Sequence, residues 1–207
     1  MELDRVKQIP PKTNEVDSRA TTLEELVEFA ENKLEEYGIA DQFEVVTSSR
    51  MKRAVGRASH KGVNKLTGDV HKGKLKLSSV WFDEIGMEKL IEEGVDEDFG
   101  EDVVLHELAH CLDYVERGES DHSYKWKENA RRVGADPTRT FDLPQKLHEL
   151  TAKFKRVCSH CGEVTEYYYK KPHSNKDRAC GKCCDKHNNG RFSEEYLVEV
   201  RENDPAI

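Results

Sequence analysis

The sequence predicts an α+β protein: helices packed on a short antiparallel sheet over residues 21–150, then a small cysteine-held ribbon over 151–200. Three patterns carry this. Apolar residues recur at helical spacing from Thr22 to Gly38 and again from about Asp98 to Gly118. Short alternating or β-branched stretches stand at 42–49 and 73–82. Two Cys-x-x-Cys pairs, Cys158/Cys161 and Cys180/Cys183, follow near the end of the chain.

In chain order, residues 1–20 show no periodicity and carry Pro10 and Pro11, so they read as a flexible arm. Thr22 with Glu25 three residues on is a capping-box signature, and Leu23, Leu26, Val27, Ala30 and Leu34 form an apolar stripe behind it. The stretches "QFEVVTSS" and "GKLKLSSVWF" read as strands joined by a hairpin-like excursion through a basic, glycine-containing segment. Helices are expected at 87–94, from 98–102 to Gly118, and at 122–134, the last two closed by glycines suited to a left-handed cap. Beyond Pro137 and Pro144 the composition turns to cysteines, aromatics and cations, which puts a boundary near residue 150 and leaves 201–207 as a tail.

With 207 residues the chain holds one ordinary domain and a small appendage. Charged residues make up 36% and hydrophobic residues 36%, so the core is modest. No apolar run approaches the roughly 20 residues that span a bilayer, and the charged N-terminus lacks a signal core. A soluble protein of the cell interior, cytoplasmic and not secreted, is expected, with no membrane partner. The net charge of -8 conceals segregation. Residues 50–76 carry nine Lys or Arg against the single acid Asp69, whereas 83–102 are acidic with only Lys89 opposing.

The stretch "VVLHELAHCLDYVERG" contains His106-Glu107-Leu108-Ala109-His110. Residues four apart on a helix differ by roughly 40° in azimuth and one turn in height, so both imidazoles can reach one tetrahedral zinc. Glu107, roughly 100° round, can act as a general base on water polarised by the metal without being a ligand. Given nine histidines, the expected number of accidental matches is about 0.04. "LHELTA" at 147–152 repeats only half of the motif, with Ala152 in the second histidine's place. A metzincin would need Gly at 113 and His at 116, which here are Asp113 and Glu116. The third ligand is then sought among His122, Glu116, Asp121 and Glu128, and His122 is favoured because its imidazole matches the other two. Asp113, on the same face as His110, reads either as a carboxylate that orients a ligand histidine or as a solvated helix residue. Cys111 reads as a small buried residue.

The cysteine pairs stand 18 residues apart, the spacing at which two knuckles close on one structural zinc. Redox-active pairs would need a strand-and-helix setting that is missing here. Cys184, His160, His173 and His187 are spare donors. Between the knuckles, "YYYKKPHSNKDR" combines aromatics with Lys170 and Lys171 in the manner of single-stranded nucleic-acid binders, although tyrosines that pack the ribbon's sheet would look the same.

"VVLHELAHCLDY", "DHSYKWKENARRVGADPTR" and the two knuckles, in that order, resemble the SprT-like family of zinc metalloproteases, which includes the Spartan proteases that degrade proteins crosslinked to DNA. The resemblance spans roughly residues 22–185. It implies a small zincin-like domain followed by a zinc ribbon, with two zincs per chain. His106, His110 and His122 would hold the catalytic zinc, with Glu107 as base, and Cys158, Cys161, Cys180 and Cys183 the structural one. Ser123 departs from the glycine that follows the third histidine in many relatives, which bears on the geometry of that turn. The expected protein is a monomeric zinc endopeptidase acting on DNA-bound or DNA-crosslinked protein. Arg50, Lys52, Arg53, Arg57, Lys170 and Lys171 are the expected DNA contacts. The rival readings are a non-catalytic DNA-binding or transcription-associated zinc module, and a zinc peptidase indifferent to nucleic acid.

Overall fold

The computed structural model describes residues 19–63, 70–138, 143, 145–172 and 178–205. Most of the expected arm, residues 64–69 of the glycine-containing segment, His173 and the last two residues lie outside the described residues.

Helix α1 (Leu23–Glu36) starts at the expected capping box: Thr22 Oγ accepts the Glu25 N–H at 3.2 Å, and Glu25 Oε2 accepts the Thr22 N–H at 3.0 Å. It buries Leu26, Ala30 and Leu34. Strand β1 (Phe43–Ser48) follows, then β2 (Gly56–Ser59), the two-residue ladder of β3 (Gly62–Val63) with β4 (Val70–His71), and β5 (Gly73–Ser78). The sheet order is β1-β5-β2.

The fold class is the α+β arrangement expected, but the strand pairing differs from a simple antiparallel hairpin. β1 and β5 run parallel, Phe43 opposite Gly73 through Ser48 opposite Ser78, and the antiparallel partner of β5 is β2, with Gly56 opposite Leu77. The 24 residues between Ser48 and Gly73 make room for the crossover that a parallel pair requires. The second strand is also shorter than the apolar pattern suggests. Ser78 is fully buried, its hydroxyl donates to Met51 O at 2.7 Å and accepts the Trp81 N–H at 3.4 Å, and the chain turns there into a π-helical segment (Val80–Gly86). Val80, Trp81 and Phe82 are thereby buried from a helix instead of a strand. A continuous apolar run does not distinguish the two.

Helices α2 (Met87–Glu92), α3 (Phe99–Arg117) and α4 (Tyr124–Val133) complete the domain. α3 is its centre, packed on α1, α4, β2 and β5 and burying residues on nearly every face. Gly118 terminates it at φ 77°, the left-handed cap that a side chain would strain. The half-motif at 147–152 is structural: a 3-10 turn (Gln145–Leu150) puts Leu147 in the core, and His148 Nδ1 lies 2.8 Å from the Tyr169 hydroxyl.

The C-terminal sheet has the order β7-β6-β8, from β6 (Phe154–Cys158), β7 (Val164–Tyr168) and β8 (Val198–Glu202), with helix α5 (Gly181–Asn188) between β7 and β8. Residues 201–202 of the expected tail are part of it. β8 runs to Glu202, and buried Asn203 donates through Nδ2 to Glu149 O at 2.7 Å and Ala152 O at 2.9 Å. Buried apolar residues fall into two clusters, one drawn from Ala20 to Leu147 and one from Cys158 to Val198. Among the described residues, no helix is long and apolar enough to cross a membrane.

Candidate metal centre

His106 and His110 stand one turn apart on α3, and the loop after Gly118 brings His122 to them just before α4. The Nε2 atoms of His110 and His122 each lie 3.3 Å from that of His106, and one ring nitrogen from each residue fits within 4.8 Å of the others. A tetrahedral zinc with Zn–N bonds of about 2.0–2.1 Å holds its nitrogens about 3.3 Å apart, so the donor set fits the ion. Trp126, four residues after His122 and 1% exposed, forms the floor, its ring centroid 4.8, 5.2 and 4.5 Å from those of His106, His110 and His122.

The other residues considered for the third position are engaged elsewhere. Glu116 pairs with Arg132 at 2.8 Å, Glu128 with Lys125 at 2.8 Å, and Asp121 with Arg117 at 3.0 Å. Ser123 sits at φ -69°, which any residue adopts, so its departure from glycine does not strain the backbone of the turn.

Burial, aided by the neighbouring histidines, lowers His106 to about 3; burial and His122 lower His110 to about 4 against the pull of Asp113 and Asp121. Both rings are neutral at pH 7, the state a metal ligand requires. With His110 Nε2 turned to the centre, its Nδ1 carries the proton and donates to Ser120 Oγ at 2.7 Å, which fixes tautomer and ring orientation. Asp113 does not take that role. Its fully buried carboxylate receives Arg117 Nε at 2.7 Å and Nη2 at 2.6 Å. Cys111 is fully buried, and burial pushes its thiol well up, as for a packing residue.

Glu107, 7% exposed, packs beneath β2. Burial raises its carboxyl to about 7, opposed by the Ala58 backbone N–H that donates to it and by the charge of Arg57. The strand approaches closely: a Cβ on Gly56 would stand 2.7 Å from Val103 Cγ1 and 2.8 Å from Glu107 Cγ. Gly56→Ala should therefore destabilise the protein by about 1–3 kcal/mol through overpacking. Thermal melts check this; an unchanged midpoint would mean that β2 steps back freely.

In the ribbon, Cys158 ends β6 and Cys161 follows in its turn, while Cys180 caps α5 and Cys183 lies in its first turn. Their sulfurs are 3.8 Å apart for Cys158–Cys183 and 4.0 Å for Cys161–Cys180. Zn–S bonds of about 2.3 Å put tetrahedral thiolates about 3.8 Å apart, so this set also fits zinc. Burial opposes ionisation of Cys158, but the N–H groups of Cys161 and His160 together with the side chains of Cys161 and Cys183 outweigh it and bring the thiol to about 7. Cys184 is buried beside the four, outside the converging set.

The segment carrying four of the expected DNA contacts meets the ribbon. Arg50, Lys52, Arg53 and Arg57, with Lys153 and Tyr169, line a cavity of about 350 Å³ that has no carboxylate on its wall among the described residues. The Arg53 guanidinium lies 5.6 Å from the Tyr169 ring centroid, and the Tyr169 hydroxyl is 2.9 Å from Thr151 Oγ1. Lys170 lines the adjoining cavity, which also contains Arg53; Lys171 is exposed and lines neither. Sequence reasoning did not single out Trp126, Ser120, Arg117 or Ala58, and it named Tyr169 only within the run of aromatics before Lys170. Only Trp126 left a signal, its spacing of four from His122 on a helix.

No curated protein matches the chain. The SprT-like family, a metalloprotease-type family, matches residues 23–149, the whole helical domain with its three histidines and Glu107. The chain belongs to the SprT-like family.

Proposed function

We propose that the protein is a zinc-dependent endopeptidase acting on proteins bound or crosslinked to DNA. The observation that carries the peptidase reading is the asymmetry of the histidine centre. Three imidazoles converge over Trp126, His122 is exposed to solvent, and the adjacent carboxylate, Glu107, is buried and held by a backbone N–H. A purely structural site is closed by four protein ligands, as the cysteine set is; three ligands leave a position for substrate.

His106, His110 and His122 would hold the catalytic zinc, and the four cysteines the structural one. Zinc supplies Lewis acidity toward a peptide carbonyl and toward water. Glu107 accepts the proton lost when water adds to the carbonyl carbon and delivers it to the leaving amine, so it must be ionised at the start of each cycle. A zinc held by the three histidines would favour that ionised form. The edge strand β2 holds the carboxylate from above through Ala58. Imidazole donors do not select zinc by affinity alone, so zinc is the metal proposed and metal analysis is its test. Two zincs per chain are expected; a single zinc would remove the histidine site.

The nucleic-acid part of the reading is supported by the basic cavity and its position. Arg57 belongs both to that cavity and to the strand over Glu107, where its charge acts on the carboxylate. A polyanion held by Arg50, Lys52 and Arg53 would thus keep an attached protein beside the histidines. Arg50→Glu with Arg53→Glu should weaken DNA retention and lower its salt slope by about 0.7–0.9 for each phosphate that is no longer neutralised. Retention unaffected by salt in the unmodified protein would favour a peptidase with no nucleic-acid role.

A further inference from the structure

Between the second and third histidine ligands the chain makes a loop, residues 118–123, that no regular hydrogen-bond ladder supports. Its conformation sets where His122 sits. Three side-chain contacts fix the part of it next to His122, beside a longer one from Arg117 Nη1 to Glu119 Oε1 at 3.5 Å. Ser120 Oγ meets His110 Nδ1 at 2.7 Å. Asp121 Oδ1 accepts the Ser123 backbone N–H at 2.9 Å, closing a turn around His122. The same oxygen accepts Arg117 Nη2 at 3.0 Å.

Arg117 is the link to the rigid part of the fold. It is the last residue of α3, on the face that carries His106, His110 and Asp113 at helical spacing. Its guanidinium is bound in bidentate fashion by Asp113, whose side chain is wholly buried. A buried carboxylate must be desolvated, and a well-packed apolar residue in its place is commonly as stabilising or more so. The pair therefore calls for a role other than general stability, and its geometry supplies one. Two of the guanidinium nitrogens are locked to α3, leaving the edge of Nη2 aimed at the residue before His122. A planar fork can span both carboxylates at once, which a single ammonium does poorly.

We propose that Asp113, Arg117 and Asp121 form a positioning clasp that fixes His122 relative to His106 and His110 and so sets the affinity of the histidine site for its metal. This rests on the reading of those histidines as a metal site. The clasp makes no contact with substrate or reacting atoms; it acts through the placement of His122.

The test uses the full chain, with the zinc affinity of each site measured by competition against a chelator and the four-cysteine site serving as internal control. Arg117→Lys retains the charge but not the fork, and Asp121→Ala opens only the loop end of the clasp at an exposed position, leaving Asp113 paired. Each should weaken zinc at the histidine site by about 10–100-fold, the usual cost of losing a group that orients a ligand, with ribbon zinc and melting temperature of the histidine-site-free protein close to those of the unmodified chain. Unchanged histidine-site affinity in both variants would overturn the proposal. So would a loss shared equally by the two sites or matched by a general fall in melting temperature, because a merely structural ion pair behaves that way. A different failure is separable: if the unmodified protein binds zinc only at its cysteines, the metal-site reading falls and the clasp falls with it.

Discussion

Replacing Cys180 with serine should cost the protein one bound zinc and the fold of its C-terminal ribbon, while the helical domain stays folded. The magnitude follows from what the ribbon buries. Its cluster consists of Cys158, Cys180, Cys183, Cys184, Tyr196 and Val198, and with Val157 on β6 only three hydrophobic side chains other than cysteine and alanine are buried among the described ribbon residues. At about 1.5–3 kcal/mol each, they cannot offset a backbone entropy of about 1–2 kcal/mol for every ordered residue. Zinc bound by thiolates contributes about 10–16 kcal/mol in small modules of this kind, so the metal decides whether the ribbon folds. Metal analysis with amide hydrogen exchange reads the result: one zinc fewer, with protection gone from β6, β7 and β8 but kept in α1 and α3. Ribbon protection persisting without that zinc would show that contacts such as Asn203 with Glu149 and Ala152 hold the module by themselves.

Glu107→Gln should separate chemistry from fold and metal. Removing a general base lowers rates by about 10²–10⁴-fold, and the amide leaves the three histidines and their zinc in place. The same variant has a stability signature in metal-free protein. Burial raises the Glu107 carboxyl from its ordinary 4.5 to about 7. Between those values the unfolded chain ionises and the folded one resists, so the glutamate's contribution is intact below pH 4.5 and lost as pH rises through 7. That loss amounts to at most about 3 kcal/mol, and glutamine is spared it. The variant's advantage over the unmodified protein should be near zero at pH 4 and reach its full size by pH 8. Comparing the two proteins cancels His106 and His110, whose depressed values destabilise the fold in the opposite direction as pH falls below 6.5. An advantage independent of pH would mean that Glu107 is not the titrating group.

The parts of this protein legible in the sequence are those whose partners are close along the chain. His106 and His110 share a helix face, each cysteine pair is separated by two residues, and the Thr22–Glu25 box closes within one turn. Gly118 and Gly134 mark helix ends because their left-handed backbone is a local requirement. What escaped sequence reading depends on long-range pairing. Alternation in β1 and β5 shows that they are strands but not that they run parallel. "VWF" is apolar enough for either a strand or a helix, and Ser78, bonded to Met51 across 27 positions, settles it. Asp113 lies on the ligand face, yet its partner is Arg117, because a bidentate guanidinium four residues on outcompetes an imidazole already satisfied by Ser120. Tyr169 and Arg53 meet only where the two cores join.

Cleavage of a protein crosslinked to DNA, assayed with the zinc-loaded full chain beside its Glu107→Gln variant and compared with the same protein free of DNA, tests the central claim most directly. The account predicts fragments from the DNA-attached protein with the unmodified chain, few from the DNA-free protein, and none above background with Glu107→Gln despite two bound zincs. Absence of cleavage by the unmodified chain on both substrates, or equal cleavage by the variant, would contradict it.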